Sequence, residues 1–295
     1  AVPSLVLGEV SPWTARLPSA LAGLITVLLA IRLGLRFAGP RTAALAGLML
    51  CTTYMFWQKS RWSQIDALLC CLIWVALSAF EAYRAGDARG RPAGLVFFAA
   101  VALAVLAKGP VGLLLPLGIV IVTLAVDRDL ASLKRFAPLA GPAVFAALMA
   151  AWIVFATVDT GGEYSVWGAL REHFIDRGMH GMHHAQPPWY YLEALPPNVL
   201  PWIGILPGAV FFAFRRRLPA DRFLLAAALF VLVFFSISTE KRVLYVLPAL
   251  PAFALLSANL ISALCGWGES PQPERPVHRR WATTGHGLVA FGMGA

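Results

Sequence analysis

"LAVLAKGPVGLLLP", residues 103–116, sets one lysine between two apolar runs and follows it at once with Gly-Pro. Gly109 tolerates unusual φ and Pro110 starts a helix well, so the stretch reads as a tight hairpin between two apolar helices. Lys108 is held at that hairpin. The same pattern, an apolar run closed by a few charges, repeats along the chain.

The chain has 295 residues, 59% of them hydrophobic and 13% charged. Its mean hydropathy is +0.72. Soluble domains carry about 25% charged residues and about 45–50% apolar ones. Such an excess of apolar side chains cannot be hidden in one soluble core of this size, so the expected class is a polytopic membrane protein, all-α. Nearly charge-free runs lie at 17–35, 42–58, 65–83, 92–107, 109–126, 136–158, 194–214, 223–239 and 243–265. A further one begins near residue 286. The expectation is thus about nine to ten spans, several of them shorter than the ~20 residues a perpendicular helix needs. The first residue is not methionine and the last residues, "GLVAFGMGA", stop inside an apolar run. The chain reads as a fragment, 1–295, of a larger transmembrane domain, with residues 159–195 forming an outer loop.

Numbering the gaps alternately assigns the 24 lysines and arginines to two sides. Twice as many fall on one side, among them Arg32, Arg84, Arg135 and the run Arg215–Arg217. The richer side is expected to be cytoplasmic. The net charge of +9 then reflects cytoplasmic anchoring and calls for no nucleic acid. Cys51, Cys70, Cys71 and Cys265 fall inside apolar runs and read as small apolar residues.

The poorer, outer side carries mixed charges beside aromatic and proline residues. Lys108 sits there and fits two readings: a rigidly placed ammonium for a phosphate, or a helix-end lysine snorkelling to the interface. Asp66 opens the run "IDALLCCLIWVALSAF" and also fits two: a cap stabilised by the helix dipole, or an interfacial carboxylate placed with Arg61 toward a polar substrate. "ALREHFIDRG", 169–178, reads as a short amphipathic helix on the surface, with Arg171, His173 and Arg177 toward anionic groups or with ordinary solvated charges. His180, His183 and His184 have spacing that zinc accepts, but histidines in a loop are a weak signal. Trp189, Tyr190 and Tyr191 read as an aromatic belt.

Taken in order, "SPWTARLPSALAGL", "RWSQIDALL", "LAKGPVGLLLP", "PPWYYLEALPPNVLPW" and "FSISTEKRVLYVLPALPAFALL" resemble the polytopic GT-C glycosyltransferases. The likeness is to the bacterial aminoarabinose (lipid A) transferase and protein mannosyltransferase-like branch, and runs from about residue 9 to 260. The resemblance implies transfer of a sugar from a polyprenyl-phosphate donor to an envelope acceptor (lipid A, a protein or a glycan) on the periplasmic face of the bacterial inner membrane. It implies a catalytic carboxylate, Asp66, matching the family's second, supporting aspartate. It also implies a donor-phosphate set of Arg61, Lys108, His173, Arg177, Lys241 and Tyr245. Some relatives hold a divalent metal through the histidine matching His173. The family's main catalytic acid would lie upstream of residue 1, so the fragment alone is expected to be inactive. "STEKRVLY" departs from the family's Ser-Lys-Leu-Pro spelling around Lys241. The alternatives from other classes are a transporter or flippase, and a non-catalytic membrane relative. A transporter would betray itself by internal repeats, and none is found.

Overall fold

The computed structural model describes residues 11–86, 90–136, 139–159, 186–238 and 241–267. Every regular element among them is helical. The helices in chain order are α1 (Pro12–Ala38), α2 (Pro40–Thr52), α3 (Tyr54–Arg61), α4 (Ile65–Arg84), α5 (Gly90–Lys108) and α6 (Val111–Val126). They continue with α7 (Ala131–Arg135), α8 (Ala140–Asp159), α9 (Tyr190–Asn198), α10 (Leu206–Arg216), α11 (Pro219–Ile237) and α12 (Leu250–Leu264). A 3-10 turn, Trp202–Gly204, precedes α10, and a longer 3-10 segment, Val243–Ala249, leads into α12.

Among the described residues, five segments are long and apolar enough to cross a membrane: Pro12–Ala38, Ile65–Arg84, Ala140–Val158, Pro219–Ile237 and Val243–Leu264. Pro92–Lys108 and Val111–Val126 are shorter apolar helices. The main core of the described residues is a large apolar cluster in which α4 is central, with a small second cluster of Ala22, Ala67 and Cys71 beside it. Trp74, Phe80, Ile73 and Leu77 of α4 are fully buried, against Phe223 of α11 and the rings around Phe136. The outside is apolar as well: Leu28, Val154, Phe155, Val233 and Ile237 are all exposed. A surface of that kind suits lipid rather than water.

Three of the expected spans are broken, each for a local reason. The run 42–58 is two helices, because Thr53 is extended at φ −67° and ψ 120°. The Thr52 and Thr53 hydroxyls donate back to the Leu48 and Met49 carbonyls, at 2.7 Å each, and the Tyr54 amide donates to the Leu200 carbonyl instead of continuing the ladder. The run 194–214 carries Pro196, Pro197, Pro201 and Pro207, four residues with no N–H, and it folds as α9, a 3-10 turn and α10. The run 243–265 starts as the 3-10 segment because Pro248 and Pro251 remove two α-helical donors.

Alternate helix ends meet at the two ends of the bundle. Arg84 at the end of α4 bonds Glu81 at 2.5 Å and Asp127 after α6, and Arg222 at the start of α11 reaches the same Asp127 at 2.8 Å. Thr42 at the start of α2 meets Ser262 near the end of α12 at 2.6 Å. The opposite end gathers the start of α4, the α5–α6 hairpin, residues 186–191 and the 241–245 stretch. This is the pairing of ends that the alternating reading of charges expects.

Candidate active site

The hairpin forms as its residues dictate. α5 ends at Lys108, Gly109 takes φ +71°, and its amide bonds the Val105 carbonyl at 2.6 Å. A positive φ one residue past a helix end is the usual glycine stop. Gly112 then donates to the Gly109 carbonyl at 3.0 Å and α6 begins. Lys108 is therefore the last residue of a partly buried helix, fixed from both sides.

Asp66 does not cap its helix. It is the second residue of α4, Gln64 stands at the N-cap, and no side chain caps that end. The carboxylate is instead buried and paired with the Lys108 ammonium. The capping reading is thus corrected: only the residue preceding the first turn has the geometry to cap, and Asp66 lies inside it. The Lys108 ammonium also lies 4.6 Å from the centroid of the Tyr245 ring, a cation–π contact. Phe235 of α11 packs on that ring at 5.1 Å. Asp66, Lys108 and Tyr245 come from positions 42 and 137 residues apart, yet form one cluster of carboxylate, ammonium and ring at one end of the bundle.

The other sequence candidates are placed around it or elsewhere. Lys241 is buried, and its ammonium donates to the Gln186 carbonyl at 2.9 Å and the Ser238 carbonyl at 2.5 Å. As placed, it ties residue 186 to the end of α11. Arg61 is exposed, and its guanidinium lies 4.6 Å over the Trp57 ring. His173 and Arg177, like Arg171, His180, His183 and His184, lie outside the described residues. Among the described residues no group of three or more His, Cys, Asp or Glu side chains is arranged to hold a metal.

Sequence reasoning passed over Tyr191 as a belt residue. It is buried, and its hydroxyl donates to the Arg242 carbonyl at 3.3 Å, three residues before Tyr245. Burial pushes its phenol well above the usual tyrosine range, with Tyr190 and Tyr245 adding to the effect, so the hydroxyl stays a donor. Trp74 was likewise indistinguishable from core. The signal available for both was position: Tyr191 lies in the first turn of a helix at the same end of the bundle as Asp66, and Trp74 lies two turns along the α4 face that starts with Asp66.

The arrangement suits an anion. A partly buried ammonium, balanced by one carboxylate and backed by aromatic rings, can turn toward a phosphate at little ordering cost. Residues 3–155 match the family described as dolichyl-phosphate-mannose-protein mannosyltransferase. The chain belongs to that family. Its fold is also that of a solved bacterial glycosyl transferase, ArnT. It is similar to the crystal structure of ArnT from Cupriavidus metallidurans bound to undecaprenyl phosphate, with TM-score 0.77 and 26% identity, over 98% of this chain and 51% of that one. The apo form of the same protein matches equally. The undecaprenyl phosphate-alpha-4-amino-4-deoxy-L-arabinose arabinosyl transferase of Aeromonas salmonicida is 32% identical over 258 residues, covering 85% of this chain and 47% of that protein. The protein of the same name from Pseudomonas aeruginosa is 30% identical over 301 residues, covering 99% and 52%. The chain spans about half the length of the curated relatives it matches.

Proposed function

We propose that the protein moves a sugar from a polyprenyl-phosphate donor to an acceptor of the cell envelope, lipid A before protein or glycan, at the periplasmic face of the inner membrane. The observation that carries this reading is the Asp66–Lys108–Tyr245 cluster, in a family whose bacterial relatives are named for an undecaprenyl-phosphate donor. The reaction breaks the bond between the anomeric carbon and the donor phosphate oxygen. The electron pair stays on the phosphate, an acceptor oxygen bonds the anomeric carbon, and the acceptor proton leaves to a carboxylate. Charge therefore builds on the departing polyprenyl phosphate. Lys108 stabilises it, Asp66 aims the ammonium, and Tyr245 presents its ring, and a hydroxyl that can donate, to the same place. His173 and Arg177 complete the cation set from the outer loop. Arg61 draws the anionic headgroup in from the surface. A divalent metal near His173 belongs to this proposal only as a ligand of that loop, and no step runs through it.

A transporter draws no support from the charge distribution. The described charged side chains of the long helices lie within about two turns of a helix end, and none sits at mid-span. The test is transfer of labelled 4-amino-4-deoxy-L-arabinose from its undecaprenyl-phosphate donor by the full-length protein in liposomes. Label appearing in lipid A supports the reading in full. Label in a protein or glycan acceptor corrects the acceptor. No consumption of this donor or of other polyprenyl-phosphate sugars would sink it.

A further inference from the structure

We propose that Trp74 and Cys70 are positioning residues that set the place of Tyr245 relative to the Asp66–Lys108 pair. Asp66, Cys70 and Trp74 stand four residues apart and so share one face of α4. That face meets the 3-10 segment Val243–Ala249 step by step. Asp66 holds Lys108 beneath Tyr245, the Cys70 thiol points at the Leu247 carbonyl at 3.7 Å, and the Trp74 indole N–H donates to the Pro248 carbonyl at 2.9 Å.

The segment needs such partners. It runs for seven residues, where 3-10 runs beyond three or four are uncommon. Pro251 follows Pro248 by three residues and has no N–H, so the Pro248 carbonyl cannot close a 3-10 bond forward. The Leu247 carbonyl accepts the 3-10 bond from the Leu250 amide but, with Pro251 at the α-helical spacing, gains no second backbone donor. Both carbonyls are buried. A buried carbonyl without a donor is costly, and Trp74 supplies the donor to Pro248; the Cys70 thiol adds a second, weaker contact to Leu247. Trp74 and Cys70 are themselves fully buried. The helix that carries the carboxylate thus holds, through its own side chains, the segment that carries the tyrosine. The ring cannot shift along the bundle without breaking these bonds.

The inference rests on the proposed transfer for its catalytic consequence, and the experiment separates the two. In the full-length protein, 3-fluorotyrosine is placed at position 245 and its fluorine resonance recorded in detergent. Trp74→Phe keeps an aromatic ring and removes only the indole donor. It should shift or broaden that resonance, while Trp267→Phe, the same change at the opposite end of the bundle, should not. In transfer, Trp74→Phe should lower kcat on the order of 10-fold. On a Tyr245→Leu background the further loss should fall within about twofold, because a residue acting through Tyr245 has nothing left to act on. If Trp74→Phe fails to fold, the pair Cys70→Ala and Cys70→Ser replaces it: serine, which keeps a donor, should hold the resonance and alanine should move it. A fluorine resonance unchanged in both Trp74→Phe and Cys70→Ala, or fully additive losses in kcat, would overturn the positioning role. Absence of transfer by the wild type counts against the proposed function alone, since the fluorine readout still decides the geometry.

Discussion

An ammonium held in a partly buried place at a helix end is stable in one of two ways: it reaches water, or it finds a carboxylate. Lys108 takes the second course and adds the Tyr245 ring, with its side chain only 24% exposed. A snorkelling lysine would extend past the hairpin instead. Replacing Lys108 by alanine in the full-length protein should therefore weaken undecaprenyl-phosphate binding or transfer. A desolvated lysine–phosphate contact contributes about 2–4 kcal/mol, or roughly 30–1000-fold. Arginine should restore part of the charge but not the point-like fit. Affinity equal to wild type in Lys108→Ala would contradict the phosphate role. Asp127, at the other end, makes a useful contrast. It faces both Arg84 and Arg222 and touches nothing assigned to the chemistry. Asp127→Ala leaves two guanidinium groups facing each other without their shared counter-charge. It should cost about 1–3 kcal/mol of stability, reduced from the fully buried case because Arg222 is a third exposed. A lowered thermal midpoint in detergent, with transfer per folded molecule unchanged, is the expected result.

At the scale of helices, the α5–α6 hairpin carries the site and Gly112 carries the hairpin. A Cβ on Gly112 would stand 2.3 Å from the Ala104 carbonyl carbon and 2.4 Å from its oxygen. No rotamer change relieves a clash with backbone. Gly112→Ala should push α6 off α5, cost about 1–3 kcal/mol, and lower stability and transfer together. Melting and transfer both at wild-type levels would show that the close approach is dispensable. The hairpin was legible in "AKGP" because glycine and proline have few conformational roles there. Its partners were not. Asp66 looked as good a cap as a ligand, since both uses need a carboxylate in the first turn. Trp74 and Cys70 looked like core, since their polar atoms meet carbonyls distant in sequence. The break at Thr53 had no proline or glycine to announce it; it comes from hydroxyls bonding back to the preceding turn and from an amide captured by Leu200. Where prolines crowd, at 196–207 and 248–251, the break could be read from composition, but the boundaries of the resulting short helices depend on tertiary partners.

For the whole molecule, the alternation of apolar runs and charges located the two ends. The charged pairs that close those ends agree with it: Arg84, Asp127 and Arg222 at one, Asp66 and Lys108 at the other. The two-to-one excess of lysine and arginine predicts the first of these ends in the cytoplasm and the site end outside. In a background with the four native cysteines replaced by serine, a cysteine at Trp189 should react with a membrane-impermeant maleimide in intact spheroplasts. One at Arg215 should react only after lysis. The reverse pattern would invert the topology. The central claim, that Asp66 and Lys108 serve transfer rather than the fold, is tested most directly by specific activity. Wild type, Lys108→Ala, Asp66→Asn and Asp127→Ala of the full-length protein are assayed for transfer of the sugar from its undecaprenyl-phosphate-linked donor, each normalised to detergent-stable protein. The account predicts Lys108→Ala down on the order of 30–1000-fold, Asp66→Asn clearly depressed, and Asp127→Ala near wild type per folded molecule. Equal specific activity in all four would contradict it.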